Sequence, residues 1–125
     1  MRFDPKEPSR RYKVGWGEQF DISDCGTLAL EPDEQVTLTT PAGGEFDITR
    51  KDWGFYATPS LNARLVGFGL RAVLVRNRID RYFVLLVEDG KDDAFGSYVA
   101  SEDLEIVVWL HDTAELARLR RTDEG

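Results

Sequence analysis

Apolar and polar residues alternate along two neighbouring segments, QVTLTT at residues 35–40 and EFDITR at residues 45–50. The segments flank the turn-like sequence PAGG, and each carries apolar side chains at every second position. This period of two predicts a β-hairpin with one face toward the core and the other toward water. A further strand is predicted at TLAL, residues 27–30, before the turn-like EPDE.

Later segments are apolar at consecutive positions, which is typical of strands covered on both faces. LRAVLVRN at residues 70–77 and RYFVLLVE at residues 81–88 are joined by a short turn and predict a central hairpin. LEIVVWL at residues 104–110 predicts another buried strand.

Helical signals lie between these strands. Thr58 and Pro59 are typical of a helix start, an apolar stripe follows at positions 61, 65 and 68, and glycines at 67 and 69 predict the end. Apolar pairs at four-residue spacing within residues 94–99 predict an amphipathic helix. Asp112 with Glu115 resembles a capping box and predicts a C-terminal helix.

The order of these elements predicts an α+β fold: a mainly antiparallel sheet of about six strands with two or three short helices. A chain of 125 residues has the length of one domain. We predict a flexible N-terminal tail at residues 1–11, a single domain at residues 12–121 and a C-terminal tail at residues 122–125.

Charge is distributed unevenly in this acidic chain, whose net charge is −7. Residues 18–49 contain eight acidic side chains and no basic one, whereas residues 50–81 contain seven basic and two acidic ones. The overall negative charge argues against a nucleic-acid partner. The basic middle favours either an anionic ligand or self-association through opposite charges, unless the two blocks only solvate different faces.

Features that are missing from the sequence bear on the compartment of the protein and on its cofactors. The N-terminus has no apolar core like that of a signal peptide, and no apolar run is long enough to cross a bilayer. One cysteine, Cys25, fits a reducing compartment, so we predict a cytoplasmic protein without a membrane partner. One histidine and one cysteine are too few for a zinc site, and no glycine-rich phosphate-binding motif is present, so no metal or cofactor is predicted.

The segment DWGFYATPSLNARL, residues 52–65, is the strongest candidate for a ligand site. A helix N-terminus favours phosphate or carboxylate, arginines add charge-assisted hydrogen bonds, and aromatic rings offer faces for stacking. Together they predict a site for a small anionic or sugar-like molecule, such as an acidic or phosphorylated sugar. The predicted ligand-binding residues are Arg50, Trp53, Tyr56, Ser60, Asn62 and Arg64, with Arg71 at the rim.

Three alternatives stay open for the same residues. In the first, the aromatic side chains close the core, and Thr58 and Pro59 act only as a helix start. A protein-interaction module, either a homodimer or a partner subunit, would use the opposite-charge surfaces. A small isomerase-like enzyme would use Asp52, Tyr56 or His111 as acid or base, which requires these groups to converge on one cleft.

ITRKDWGFYATPSLNARL followed by FGLRAVLV resembles a stretch of small, uncharacterised bacterial proteins. The resemblance covers roughly residues 35–110. It implies a bacterial, cytoplasmic, single-domain protein, similar to accessory proteins of surface-sugar biosynthesis, and it carries no catalytic residues.

Overall fold

The computed structural model describes residues 1–120 and confirms the α+β class. These residues form eight strands and three short helices, and all three helices follow the fifth strand. The strands are β1 (Arg2–Val14), β2 (Phe20–Ala29), β3 (Gln35–Thr39), β4 (Glu45–Lys51), β5 (Gly54–Tyr56), β6 (Leu70–Arg76), β7 (Tyr82–Glu88) and β8 (Glu105–Trp109). The helices are α1 (Arg64–Gly67), α2 (Asp92–Ser101) and α3 (Thr113–Leu119).

The strands form three antiparallel sheets instead of one sheet of about six strands. Their orders are β1-β2, β3-β4-β5 and β7-β6-β8. The sequence analysis missed β1 and β5, and β2 begins earlier than the strand predicted from residue 27.

Both predicted hairpins are confirmed. In β3 and β4, Val36 pairs with Ile48 and Leu38 pairs with Phe46, so the alternating apolar residues share one face. β6 and β7 pair over their full length. β8 pairs with the other edge of β6, so β6 is the central strand of this sheet. Side chains on both faces of β6 are buried.

The core is small and divided by β6. Leu65, Leu70 and Ala72 form one buried cluster, and the second consists of Val73, Val75 and Val87. β7 was predicted to be covered on both faces, but it is an edge strand with one neighbour. Its first three side chains, Tyr82, Phe83 and Val84, are exposed.

The N-terminal segment differs from the prediction. Most of residues 1–11, predicted as a flexible tail, lie in β1, which pairs with β2 along its length apart from an irregularity between Pro5 and Arg10. The physical reason lies in the sequence, because RYKV and FDIS both alternate with period two and their apolar residues become cross-strand neighbours. The predicted tail at residues 122–125 lies outside the described residues.

The last two helices match their predictions. α2 covers the region predicted from the apolar spacing at residues 94–99. α3 begins after Asp112, whose Oδ1 accepts hydrogen bonds from the backbone N–H groups of Ala114 and Glu115 at 2.9 and 3.2 Å. This is the capping interaction expected from the sequence.

Candidate functional site

A polar cleft of about 360 Å³ contains part of the predicted site. It lies between the β3-β4-β5 sheet and the turn that precedes α1. Tyr56, Ser60 and Arg64 are the predicted residues that the fold brings together in it. The remaining walls are formed by Gln35, Asp47, Thr49, Thr58 and Pro59.

The prediction of a helix start at Pro59 is wrong. Residues 61–63 form a turn, and α1 contains only Arg64–Gly67. Ser60 organises this turn, because its Oγ accepts a hydrogen bond from the backbone N–H of Arg64 at 2.8 Å, and its carbonyl oxygen accepts one from Leu65 at 3.0 Å. A side-chain acceptor of this kind competes with helical hydrogen bonds and favours turns. A helix of four residues offers no N-terminal anion site of the type first expected.

Charge in the polar cleft is balanced. The guanidinium of Arg64 lies 3.3 Å from a carboxylate oxygen of Asp47 and also 5.3 Å from the ring centroid of Phe68. Asp47 is the more buried partner and accepts a second hydrogen bond, from the hydroxyl of Thr37 at 2.7 Å. The cleft therefore presents one fixed charge of each sign beside hydroxyl and amide groups.

Trp53 is not a wall of the polar cleft, but its ring contacts that of Tyr56, which is one. The rings of Trp53 and Tyr56 meet edge to face, with centroids 5.6 Å apart. Both are largely exposed, Trp53 at 65% of its surface, so neither ring closes the core. An exposed pair of this type leaves flat apolar faces on which a ring could stack.

Three other predicted residues, Arg50, Asn62 and Arg71, are not walls of the polar cleft. Arg50 donates from Nη1 to the backbone oxygen of Leu30 at 2.8 Å and joins β4 to the chain before β3. Asn62 donates to the hydroxyl of Thr113 at 3.2 Å, which links the turn before α1 to α3.

Arg71 is surrounded by carboxylates instead of open space. It lies on β6, pairs with Asp89 and Asp92, and stacks 5.1 Å from the ring centroid of Trp109. The shallow depression around it is also lined by Asp93. The arrangement neutralises this arginine, so it offers little to an anionic ligand.

The proposed acid and base residues of an isomerase also lie on different elements. Tyr56 lines the polar cleft and Asp52 lies in the turn between β4 and β5. His111 follows β8 and packs edge to face against Trp109, with ring centroids 5.5 Å apart. Of these three groups, only Tyr56 is a wall of the polar cleft.

A second feature was not anticipated, namely the two-stranded β1–β2 ribbon with one apolar face. Cross-strand pairing puts apolar residues opposite one another on this face, with the ion pair of Arg10 and Asp24 between two apolar sections, and puts polar residues on the other face. All members of the apolar face are at least one-third exposed. They are the pairs Phe3 with Leu28, Tyr12 with Ile22 and Val14 with Phe20.

The tip of the ribbon, residues 15–19, is attached to the end of α2. The carboxylate of Glu102 accepts hydrogen bonds from the backbone N–H groups of Trp16, at 2.8 Å, and Gly17, at 2.7 Å. These two hydrogen bonds are the main reason that the pKa of Glu102 lies below its ordinary value. Phe20 adds an aromatic contact to Tyr98, with ring centroids 5.9 Å apart.

Comparison with known proteins gives no assignment, since no family model, no curated protein and no solved structure matches this chain. In the described part of the chain, no group of three or more histidine, cysteine or carboxylate side chains is arranged to hold a metal ion. Among residues 1–120, no helix has both the length and the apolar character needed to span a bilayer.

The sequence contained a signal for the ribbon that was not used. RYKV and FDIS each alternate, and the glycines of VGWGEQ between them favour a turn, which is the pattern of a hairpin. The contact of Glu102 with the tip joins positions 86 residues apart and had no local signal.

Proposed function

We propose that this protein is an interaction module that associates with a second copy of itself through the apolar face of the β1–β2 ribbon. The observation that carries this proposal is the amount of exposed surface. The chain exposes 8910 Å², whereas a folded monomer of 14.2 kDa is expected to expose about 6,800 Å².

The size of the difference suits a dimer. On the order of 2,000 Å² of additional surface is comparable to one chain's share of a large homodimer interface, and it exceeds the roughly 800 Å² per partner of an average stable complex. An isolated two-stranded ribbon is at best marginally stable in water. Packing two ribbons face to face would cover the apolar side chains of both.

The charge distribution favours a second copy as the occupant. Residues 2–29 carry five basic and five acidic side chains, so the ribbon is neutral within a chain whose net charge is −7. Ion pairs inside the ribbon, such as Lys13 with Asp21 at 2.7 Å, satisfy these charges locally. Two copies can therefore approach through their ribbons without bringing their acidic regions together.

The oligomeric state tests this proposal through Ile22→Asp. The wild-type protein is expected to have about twice the monomer mass of 14.2 kDa by light scattering after size exclusion. Because Ile22 occurs twice in a symmetric interface, the substitution should weaken the dimer on the order of 100-fold. Ser23→Asp adds the same charge to the opposite, polar face and should leave the dimer intact.

Salt separates this dimer from one held by opposite charges. Apolar association should persist at about 1 M salt, where screening reduces attraction between exposed charges to a range of about 3 Å. A wild-type protein with the mass of a monomer at high concentration would exclude the proposal. A dimer that dissociates in salt and tolerates Ile22→Asp would point to the charged surfaces instead.

The polar cleft supports a second candidate function, the binding of a small polar or sugar-like ligand. Its specific support is the convergence of Tyr56, Ser60 and Arg64 with Asp47 in one cleft. The carboxylate of Asp47 suits ligand hydroxyl groups, and Arg64, which is 62% exposed and pairs with one carboxylate, keeps donors for a negatively charged group.

A thermal-shift screen tests this candidate with acidic sugars, sugar phosphates and neutral sugars. A ligand present at a hundredfold over its dissociation constant should raise the unfolding free energy by about 2.7 kcal/mol, and Arg64→Ala should remove the effect. Arg118→Ala is a matched control, because Arg118 is similarly exposed and, among residues 1–120, pairs with Glu115 on α3. Equal shifts in both variants, or no shift for any class, would end this assignment.

A further inference from the structure

A second cavity lies where the ribbon tip meets the β7-β6-β8 sheet and α2. It has a volume of about 200 Å³, and its walls come from parts of the chain far apart in sequence. The apolar walls of this aromatic pocket are Trp16, Val75, Ile79, Phe83, Leu85, Tyr98 and Leu104.

Three aromatic side chains converge on the pocket without filling it. Trp16 approaches from the ribbon, Phe83 from β7 and Tyr98 from α2, and each remains more than one-third exposed. Below them, Val75 is fully buried and provides an apolar floor. Such a concave, mainly apolar site with a few polar groups at its edge is characteristic of small-molecule binding.

Both charged groups at the pocket already contact other groups of the chain. Glu102 directs its carboxylate to the backbone N–H groups of Trp16 and Gly17. The guanidinium of Arg78 lies over the ring of Trp16, 4.5 Å from its centroid. An anionic ligand would have to compete with the indole ring for Arg78, and a cationic one with two backbone N–H groups for Glu102, so the mainly apolar pocket favours a neutral ligand.

The tip is held firmly enough to act as a wall. Gly17 approaches the end of α2 so closely that a β-carbon there would lie 1.7 Å from the backbone oxygen of Ser101. Together with the two hydrogen bonds to Glu102, this close contact fixes the position of Trp16. The pocket is therefore formed before a ligand arrives, which reduces the cost of binding.

We propose that the aromatic pocket binds a neutral aromatic molecule of one or two rings. An apolar cavity of about 150 Å³ in another protein binds benzene, so about 200 Å³ accommodates a substituted ring. The edges and faces of three surrounding aromatic side chains favour a ring over a saturated molecule of equal size. This inference does not depend on self-association, because the pocket is complete within one chain.

Phenol and cyclohexanol form a matched pair of probes, since they share size and hydroxyl group and differ in aromaticity. Titrations followed by backbone amide NMR shifts should give phenol a dissociation constant on the order of 1 mM, as is reasonable for so small a molecule. The shifts should concentrate around Trp16, Phe83 and Tyr98. Cyclohexanol should bind at least fivefold more weakly.

Ile79→Asp provides the variant test, since Ile79 lines the pocket from the exposed turn after β6. It should weaken phenol binding at least fivefold. Leu119→Asp is the control, because Leu119 on α3 has the same 57% exposure and is absent from the pocket wall. The probe comparison in the wild-type protein needs no variant and remains decisive if Ile79→Asp alters the fold.

Several results would overturn the inference. Equal affinity for the two probes would reject aromatic selectivity, and shifts spread over the surface or equally sensitive to both variants would indicate non-specific contact. Alternatively, a rise in protein concentration shifts the amide signals of the same residues and abolishes phenol binding. That result would mean that a second copy occupies the pocket.

Discussion

Replacing Leu65 by alanine is expected to lower the free energy of unfolding by about 2–5 kcal/mol. Leu65 is fully buried and packs with Leu70 and Ala72 against Phe46, between α1 and the sheets. The loss combines the transfer free energy of the removed atoms with the cavity they leave. Few other apolar side chains in residues 1–120 are buried, so this loss is a large part of the total stability.

Chemical denaturation of Leu65→Ala and Leu119→Ala isolates the effect of burial, because the same substitution is made at a buried and at an exposed position. Leu119 loses the same atoms from an exposed position and should cost no more than about 0.5 kcal/mol. Equal losses in the two variants would mean that the contacts of Leu65 do not form the core in solution.

Replacing Gly17 by alanine is expected to detach the ribbon tip from α2 and to cost about 1–3 kcal/mol. The added carbon would meet the backbone oxygen and carbon of Ser101 at 1.7 and 2.7 Å, and backbone atoms cannot rotate away as a side chain can. The tip must therefore move, and Glu102 loses its two N–H donors. Faster amide hydrogen exchange at Trp16 and Gly17, with lower stability to denaturant, would show this.

Gly96→Ala is the control, because space around Gly96 is open and the residue lies inside α2. Alanine should stabilise that helix by roughly 0.5–1 kcal/mol. An unchanged exchange rate at the tip in Gly17→Ala would contradict the close contact.

Acid should release the same tip in the wild-type protein. The hydrogen bonds from Trp16 and Gly17 lower the pKa of Glu102 below its ordinary value of 4.5. The stabilising contribution is therefore complete above pH 4.5 and is lost as pH falls through the lower pKa of the folded state. Gly17→Ala, in which the tip is already displaced, should lack this acid-dependent step.

Local patterns were sufficient to predict much of the fold. The alternation in β3 and β4 determined which residues share a face, and Asp112 was correctly recognised as the start of α3. Each of these features depends on residues within one hairpin or one helical turn. The ribbon was missed because its N-terminal charges and prolines suggested a tail, although its apolar residues alternate.

The candidate site was only partly predictable, because neighbours in sequence were assumed to be neighbours in space. Tyr56, Ser60 and Arg64 do share a cleft. Arg50 and Arg71, however, face acceptors on other elements, and no local pattern encodes those partners. The turn at Ser60 also replaced the predicted helix start, since a hydroxyl acceptor competed successfully with helical hydrogen bonding.

The attachment of the ribbon tip also has a consequence for the order of folding. Strand pairing within the ribbon begins between residues as close as Val14 and Phe20, and hairpins of this kind form in about 1–10 μs. Contact of the tip with Glu102 instead closes a loop of 86 residues, which lowers the entropy of the chain. This contact requires that α2 has already formed, because Glu102 lies at its end. We therefore expect the ribbon to form early and to dock late, so that the aromatic pocket is among the last features to assemble.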